Sequence, residues 1–338
     1  MAASTLACLV DAEHDVVGVV SKPEKRRGRR ELKSDNPVVA LAKKLGIHTY
    51  FNPIDILGID FDIGVVVAYG KLIPQEVLEY RRLLNIHFSL LPRWRGAAPV
   101  ERALLEGDTE TGVCIMEVVQ ELDAGGVFDS QSLVIGEYET AAQLTERLVE
   151  IGNVRLLKCL ADPSIKTVEP VQQSGEITWA AKITSEDLHI RWESSPTKIL
   201  RQLSVGKPWT FYGSRRVLIR SASKVELLAT SELSSRNPSG LQGQDSSPNP
   251  SGLQGQDSSP NPSGLQGQDS SPNPSPTLPQ PPGTIEIASI GGSKALVVHA
   301  GGGLLKVDRL QPEGKAEIDG LAWANGVNLQ SIPCFTFT

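Results

Sequence analysis

Residues 1–160 alternate short apolar runs with amphipathic segments. Apolar runs of strand length occupy residues 16–20, 48–51, 63–68, 83–88, 113–119 and 127–134. Helical spacing of apolar side chains is found at residues 2–13, 37–45, 73–80, 97–106 and 140–160. Strands that alternate with helices form parallel sheets with both faces covered. The pattern therefore predicts an α/β domain with a doubly wound, mostly parallel, Rossmann-like sheet.

One feature of this pattern is out of place at its beginning. The first predicted element is a helix, and no strand precedes it. A crossover helix of a parallel sheet packs between two strands of that sheet. Either helix 2–13 lies at an edge or an opening strand is absent from this sequence, and we expect the second.

A different pattern follows from residue 177 onward. Short alternating runs separated by glycine-rich turns occupy residues 209–213, 216–221, 283–290, 295–299 and 303–310. Such runs are typical of a small β-barrel of the OB type. We therefore predict a catalytic domain at residues 1–160, a linker at 161–176 and a C-terminal barrel domain at 177–338.

A tandem repeat interrupts the predicted barrel. The twelve-residue unit Asn-Pro-Ser-Gly-Leu-Gln-Gly-Gln-Asp-Ser-Ser-Pro occurs at residues 237–248, 249–260 and 261–272. Each unit has one large apolar residue, which is too little to offset the chain entropy of folding. We predict that residues 232–282 form a disordered insertion, which a surface loop tolerates because closure entropy grows slowly with length.

Composition and charge argue against a membrane-spanning, a secreted and a uniformly basic protein. No apolar run reaches the length of a membrane span, and the N-terminus lacks the basic start of a signal peptide. The four cysteines and five histidines are scattered without metal-ligand spacing, so we expect reduced thiols, no metal and a cytoplasmic setting (organellar if the source is eukaryotic). A net charge of −6 argues against a uniformly basic nucleic-acid binder.

The basic residues are nevertheless concentrated in one segment. Residues 22–33, called here the basic segment, contain seven basic and two acidic side chains. From composition alone, a solvated loop is slightly favoured over a phosphate-binding loop.

The candidate chemistry lies between residues 83 and 128. Asn85 and His87 are two positions apart on a predicted strand, so their side chains point to the same face. Asp123 follows in an Asp-Ala-Gly-Gly turn and could hold the imidazole protonated. Singly, the histidine is more often structural and the turn is only a turn; together the three side chains suit a carbonyl whose oxygen becomes negative.

The motifs around these residues resemble one enzyme family. Asn-Ile-His-Phe-Ser-Leu-Leu-Pro-Arg-Trp-Arg-Gly-Ala-Ala-Pro begins at residue 85, Gly-Asp-Thr-Glu-Thr-Gly-Val at 107, and Leu-Asp-Ala-Gly at 122. They closely resemble the methionyl-tRNA formyltransferases, as do Val-Val-Val-Ala-Tyr-Gly at residues 65–70 and Lys-Pro-Trp at 207–209. Relative to that family, the opening strand is missing and the repeats are inserted.

The resemblance implies transfer of a formyl group from 10-formyltetrahydrofolate to the amino group of initiator methionyl-tRNA, in a protein that we expect to be monomeric. Asn85 and a protonated His87 would donate to the oxyanion, and Asp123 would keep His87 charged and help remove the amine proton. The expected folate neighbours are Ser89, Leu90, Leu91 and Pro92. The expected tRNA contacts are Lys25, Arg27, Arg29, Arg30 and Lys207, which favours the RNA-binding interpretation of the basic segment.

Two alternatives remain open. A glycinamide ribonucleotide formyltransferase would share the Asn-x-His and Asp unit but neither the barrel domain nor the basic segment. Sugar-nucleotide formyltransferases share the N-terminal fold and often a barrel-like second domain, but we do not expect them to carry the loop of Arg29. The chain could also be an inactive, truncated RNA-binding product, although the intact set of three side chains would then be unexplained. Arg93 and Arg95 are open between phosphate contacts and surface ion pairs.

Overall fold

The computed structural model describes residues 1–23, 36–225, 280–329 and 336–338. Lys25, Arg27, Arg29 and Arg30 of the basic segment lie outside these residues, as does nearly all of the predicted insertion 232–282. Among the described residues, no helix combines the length and the hydropathy that a bilayer crossing requires.

The elements of residues 1–160 follow the predicted order, with one additional short strand, β5. They are α1 (Ala2–Asp11), β1 (Val19–Val20), α2 (Pro37–Leu45), β2 (Thr49–Tyr50), β3 (Gly64–Val66), α3 (Gln75–Tyr80), β4 (Leu83–His87), β5 (Arg95–Gly96), α4 (Pro99–Glu106), β6 (Glu110–Glu117), β7 (Val127–Val134) and α5 (Ala141–Leu160).

The sheet that carries the candidate residues is mixed, and the prediction of a mostly parallel sheet is wrong for it. Its strands lie in the order β3, β4, β6, β7; β3 and β4 are parallel, whereas β4–β6 and β6–β7 are antiparallel pairs. The connection 88–109 returns to the end of β4 that it left instead of crossing the sheet. A hydrophobic pattern identifies a strand but does not encode this choice of direction.

Helix α5 covers one face of this sheet. It begins at a capping box, in which the Thr140 hydroxyl accepts from the Gln143 backbone N–H and the Gln143 side chain accepts from the Thr140 N–H. Leu144 and Leu148 are fully buried in the core that α5 forms with β4 and β6. Gly152 allows close approach to the sheet, because a Cβ there would lie 2.7 Å from Cγ2 of Ile86.

The N-terminal strands form two separate parallel pairs. β1 pairs with β2 and β3 pairs with β4, and a cavity of about 860 Å³ lies between the two pairs. Its walls include α1, Val19, Val20 and residues 63–69. Val65 and Val66 are therefore only partly buried, although their apolar run predicts a strand with both faces covered.

Residues 161–329 contain a second sheet, which is antiparallel. Their elements are β8 (Trp179–Ala180), α6 (Pro196–Val205), β9 (Trp209–Tyr212), β10 (Arg215–Lys224), β11 (Ile285–Ile290), β12 (Ser293–Ala300), β13 (Gly303–Pro312), β14 (Ile318–Asp319) and α7 (Gly320–Gly326). The sheet runs β11, β12, β13, β10, β9, with β14 on β13. Phe337 bridges to Tyr212 beside β9, and Thr336 bridges to Thr284 beside β11.

Side chains on helices α4 and α6 help to join the first sheet region to the second. The Arg102 guanidinium on α4 donates to both carboxylate oxygens of Asp187, at 2.8 and 3.2 Å. These hydrogen bonds lower the pKa of Asp187 to about 2. The Arg201 side chain on α6 donates to the Glu106 carbonyl at the end of α4, at 3.1 Å. Helix α4 is thus fixed to both regions.

Candidate active site

Strand β4 presents different residues to its two faces. Leu84 and Ile86 point into the core beneath α5, so Asn85 and His87 share the opposite face. His87 is 4% exposed, and Asn85 is half-buried. The Asn85 amide makes no hydrogen bond with any residue that the structure describes, which leaves its donors and acceptor available to a ligand.

The two ring nitrogens of His87 have different neighbours. Nε2 lies 2.9 Å from the backbone carbonyl of Trp94, which can only accept, so Nε2 carries the hydrogen of this contact. Nδ1 lies 3.7 Å from Oδ2 of Asp123, beyond direct hydrogen-bond distance. The Trp94 carbonyl therefore fixes the tautomer, and the Nδ1 edge faces the carboxylate.

The charge state of His87 is set by opposing influences. Burial lowers its pKa below the usual value, whereas the Asp123 carboxylate and the Trp94 carbonyl raise it, and burial has the larger effect. We therefore assign a neutral His87 to the unliganded protein. The expectation of a protonated imidazole during the reaction stays a prediction, because it concerns the complex with substrate.

Asp123 reaches His87 from the loop between β6 and β7. Its backbone has a left-handed φ of 50°, and its Oδ2 accepts a 2.9 Å hydrogen bond from the Gly96 N–H. The Gln173 side-chain amide donates to the carbonyls of Asp123 and Gly125, at 2.8 and 2.7 Å. A Cβ at Gly125 would lie 2.0 Å from the Glu117 carbonyl, so glycine is required for the loop to fold back.

The predicted folate loop is built around internal contacts. Ser89 is fully buried, and its hydroxyl donates to the Arg93 carbonyl at 2.5 Å, so its hydrogen is used within the loop. The Leu91–Pro92 peptide bond is cis. Leu90 is half-buried and packs over Gly112, where a Cβ would lie 2.5 Å from its Cδ2.

The basic residues near this loop are held in ion pairs. Arg93 binds Asp108 through two hydrogen bonds of 2.9 and 2.6 Å, and Arg95 is buried against Gln173 and Glu121. For both arginines the ion-pair interpretation is therefore the one that the structure supports. Lys207, the one predicted tRNA contact within the described residues, is exposed in the connection between α6 and β9.

The structure brings Asn85, His87 and Asp123 to one place and adds residues that sequence reasoning missed. Trp94 and Gln173 contact the trio or its loops, and Asp108 supports Trp94. No local pattern marks these three residues. The apolar cavity adjoins the trio through Val66, which pairs with Asn85. Within the described ranges, no group of three or more His, Cys, Asp or Glu side chains is arranged to hold a metal ion.

The sequence is similar to those of known formyltransferases. Residues 2–160 match the model of the formyl transferase family. A methionyl-tRNA formyltransferase of Jannaschia sp. is 39% identical over 227 residues, which cover 63% of this chain and 75% of the relative. The enzyme of the same name from Pseudarthrobacter chlorophenolicus is 36% identical over 262 residues, 73% of this chain and 86% of the relative.

Solved structures support the fold alone, because their identities are low. HypX from Aquifex aeolicus, solved in complex with tetrahydrofolic acid, aligns with a TM-score of 0.52 at 15% identity, over 87% of this chain and 44% of HypX. The chain thus spans less than half the length of HypX. WlaRD, a sugar 3N-formyl transferase, aligns with a TM-score of 0.50 at 19% identity, over 60% of this chain and 74% of WlaRD.

Proposed function

This chain belongs to the methionyl-tRNA formyltransferase family, and we propose that it transfers the formyl group of 10-formyltetrahydrofolate to the amino group of methionine on initiator tRNA, for translation initiation. The observation that carries the proposal is the convergence of Asn85, His87 and Asp123 on one face of β4. An unpaired amide donor, an imidazole and a carboxylate are the groups that acyl transfer to an amine requires.

The proposed reaction is a direct displacement. The free amine attacks the formyl carbon, a carbon–nitrogen bond forms, and the bond from that carbon to N10 of the folate breaks. One amine proton is lost and N10 gains one, so no net proton is consumed. Holding both substrates in attack geometry supplies much of the rate enhancement, and no covalent bond to the protein is needed.

We assign the developing negative charge to Asn85 and His87. The Asn85 amide donates to the formyl oxygen, because no described residue occupies it in the structure. Nε2 of His87 is already committed to the Trp94 carbonyl, so Nδ1 is the nitrogen that supplies the second donor. While Nε2 keeps its hydrogen on the Trp94 carbonyl, Nδ1 can donate only in the imidazolium form.

Substrate binding changes the charge balance around His87. An oxyanion beside Nδ1 raises the pKa of the imidazole, as the Asp123 carboxylate at 3.7 Å already does. We propose that His87 takes up a proton from solvent when the substrates bind, that Asp123 stabilises the resulting charge, and that the proton is released to solvent after the products leave. Asp123 then also accepts the amine proton, directly or through water.

The remaining assignments concern the two substrates. Leu90, Leu91 and Pro92 are proposed to line the folate, whereas Ser89 shapes the loop through its internal hydrogen bond. The basic segment and Lys207 are proposed to contact tRNA phosphates. The exposure of Lys207 and the seven basic residues in the sequence of the basic segment support this role, since phosphate contacts dominate nucleic-acid affinity.

The same proposal extends to the domain organisation. We propose a catalytic domain at residues 1–160, a linker at 161–176 and a tRNA-binding β-barrel at 177–338, interrupted by 232–282. The bridges from residues 336–337 to both outer strands of the second sheet support closure into a barrel. The linker also serves the catalytic domain, because Gln173 binds the Asp123 loop.

Formylation of charged initiator tRNA tests the proposal directly. The full chain is mixed with 10-formyltetrahydrofolate and initiator tRNA bearing radiolabelled methionine, and formylmethionine is counted after deacylation. A second version carries one further strand ahead of Met1, to fill the cavity between β1 and β3. Formylation by either version supports the function. Folate binding without tRNA formylation by both versions, together with formylation of an amino-sugar nucleotide, would overturn it.

A further inference from the structure

Trp94 has an unusual backbone for a large side chain. Its φ is +65°, in the left-handed region, yet it is 7% exposed and its carbonyl is the acceptor for His87 Nε2 at 2.9 Å. Bulky residues adopt this conformation only where their surroundings hold them there. The groups that hold Trp94 therefore determine where its carbonyl points.

Two side chains anchor the Trp94 residue from opposite ends. The Trp94 backbone N–H donates to Oγ1 of Thr178 at 2.9 Å. Its indole Nε1–H donates to Oδ2 of Asp108 at 2.8 Å. The same carboxylate binds Arg93, whose guanidinium lies 4.5 Å from the Trp94 ring centroid. Asp108 thus fixes the indole both directly and through the stacked arginine.

We infer that Asp108 is a positioning residue for the formyl transfer, acting on His87 through the indole and the carbonyl of Trp94. This inference rests on the proposed function. The contacts form a continuous series. Asp108 accepts from the Trp94 indole, the Trp94 carbonyl accepts from Nε2 of His87, and Nδ1 of His87 faces Asp123. Asp108 contacts the Trp94 indole and the Arg93 guanidinium, so we assign it the role of holding the tautomer and not of contacting substrate.

The consequence concerns which ring nitrogen carries the proton. With the Trp94 carbonyl in place, the neutral ring keeps its hydrogen on Nε2. If the carbonyl turns away, the Asp123 carboxylate is the remaining acceptor, and it attracts the hydrogen to Nδ1. Loss of Asp108 therefore increases the Nδ1–H tautomer and misaligns the ring.

The test compares Asp108→Ala with Asp108→Asn. Asparagine retains an oxygen that can accept from the indole, whereas alanine retains none. Imidazole nitrogen-15 shifts, measured on protein labelled in histidine, report the tautomer without any substrate. We expect Asp108→Ala to shift His87 toward Nδ1–H and to lower kcat by about 10- to 100-fold, because small misplacements of a catalytic group have effects of that order. Asp108→Asn should restore the tautomer and most of the activity.

Two further variants keep the inference falsifiable. Thr178→Val removes the other anchor of Trp94 and should shift the tautomer in the same direction, even if Asp108→Ala fails to fold. Asp60→Asn removes a carboxylate from an exposed pair with Arg81 and serves as the matched control, with no tautomer change. An unchanged His87 tautomer in folded Asp108→Ala, or in Thr178→Val, overturns the inference. Absence of tRNA formylation by the parent protein would instead count against the proposed function, since the tautomer readout needs no tRNA.

Discussion

Replacing Asp123 by asparagine tests the electrostatic core of the proposed mechanism. The two side chains have nearly the same shape, and the amide oxygen of asparagine can still accept the hydrogen bond from the Gly96 N–H. The backbone contacts from Gln173 to the Asp123 loop do not involve the side chain. Asp123→Asn therefore removes the negative charge and leaves the loop in place.

The size of the effect follows from the distance to the imidazole. Oδ2 of Asp123 lies 3.7 Å from Nδ1 of His87. At an effective dielectric constant of about 20, two unit charges at roughly this distance attract by about 4 kcal/mol. If that attraction is present in the transition state and absent from the neutral ground state, its loss corresponds to a rate decrease on the order of 10³-fold.

The pH dependence of kcat provides a second, independent test of the charge on Asp123. Asp123 raises the pKa of His87 against the effect of burial, so its neutralisation lowers that pKa further. If the charged imidazole is the active form, activity declines as pH rises through the pKa of His87 in the substrate complex. The basic limb of kcat against pH therefore moves to lower pH in Asp123→Asn.

The assay is tRNA formylation over a pH series, with Glu121→Gln as the matched control. Glu121 is a carboxylate of the same loop that pairs with Arg95 and is 70% exposed in its side chain. Its replacement should change kcat only slightly, because Glu121 is itself largely exposed and Arg95 keeps its hydrogen bonds to Gln173. The reasoning is refuted if Asp123→Asn retains about a tenth or more of the parent rate and an unshifted basic limb, since the inferred attraction predicts a far larger loss.

Four other substitutions or deletions have expected outcomes that follow from the described contacts. Asn85→Ala should lower kcat/KM by about 10²- to 10³-fold without changing the urea midpoint, since one oxyanion donor is lost and no internal hydrogen bond is broken. Gly152→Ala should lower the free energy of unfolding by about 1–2 kcal/mol in urea titration, because its Cβ meets Ile86 and the gain in helix propensity offsets only part of that strain. Asp187→Asn should destabilise the protein at pH 7 and have a much smaller effect at pH 2, because the arginine partner on α4 lowers the pKa of Asp187 to about 2. Stability from a lowered carboxyl pKa is present above the unfolded value and is lost as pH falls through the folded one. Deletion of residues 232–282 should leave the formylation rate and the salt dependence of tRNA binding unchanged, and a change in either would contradict our assignment of these repeats to an insertion outside the site.

The part of the site that lies on β4 could be predicted from the sequence. The alternation of side chains along a strand places Asn85 and His87 on one face, whatever the neighbouring strands do. The apolar partners of the same strand, such as Ile86, define the other face. Local periodicity is sufficient for this prediction, because the strand is short, regular and bounded by clear signals at both ends.

The position of Asp123 and the state of His87 required tertiary information. Asp123 approaches from a loop whose path depends on the Gly125 contact with Glu117 and on the amide of Gln173, which is distant in sequence. The charge of His87 depends on how completely its neighbours exclude water. Neither property has a signature in the pattern of apolar and polar residues.

The direction of the strands explains why one short strand can serve both the core and the site. Because β6 runs antiparallel beside β4 and β7 runs antiparallel beside β6, the loop that joins β6 to β7 can fold back over the face of β4 that α5 leaves uncovered. The core face of β4 is fixed by α5 at Gly152, and the site face is fixed by Trp94 and Asp123. A displacement of β4 toward or away from α5 therefore changes both distances to His87 together. The packing between α5 and the sheet and the position of the imidazole are consequently coupled. We therefore expect mutations in the α5 interface to affect kcat as well as stability.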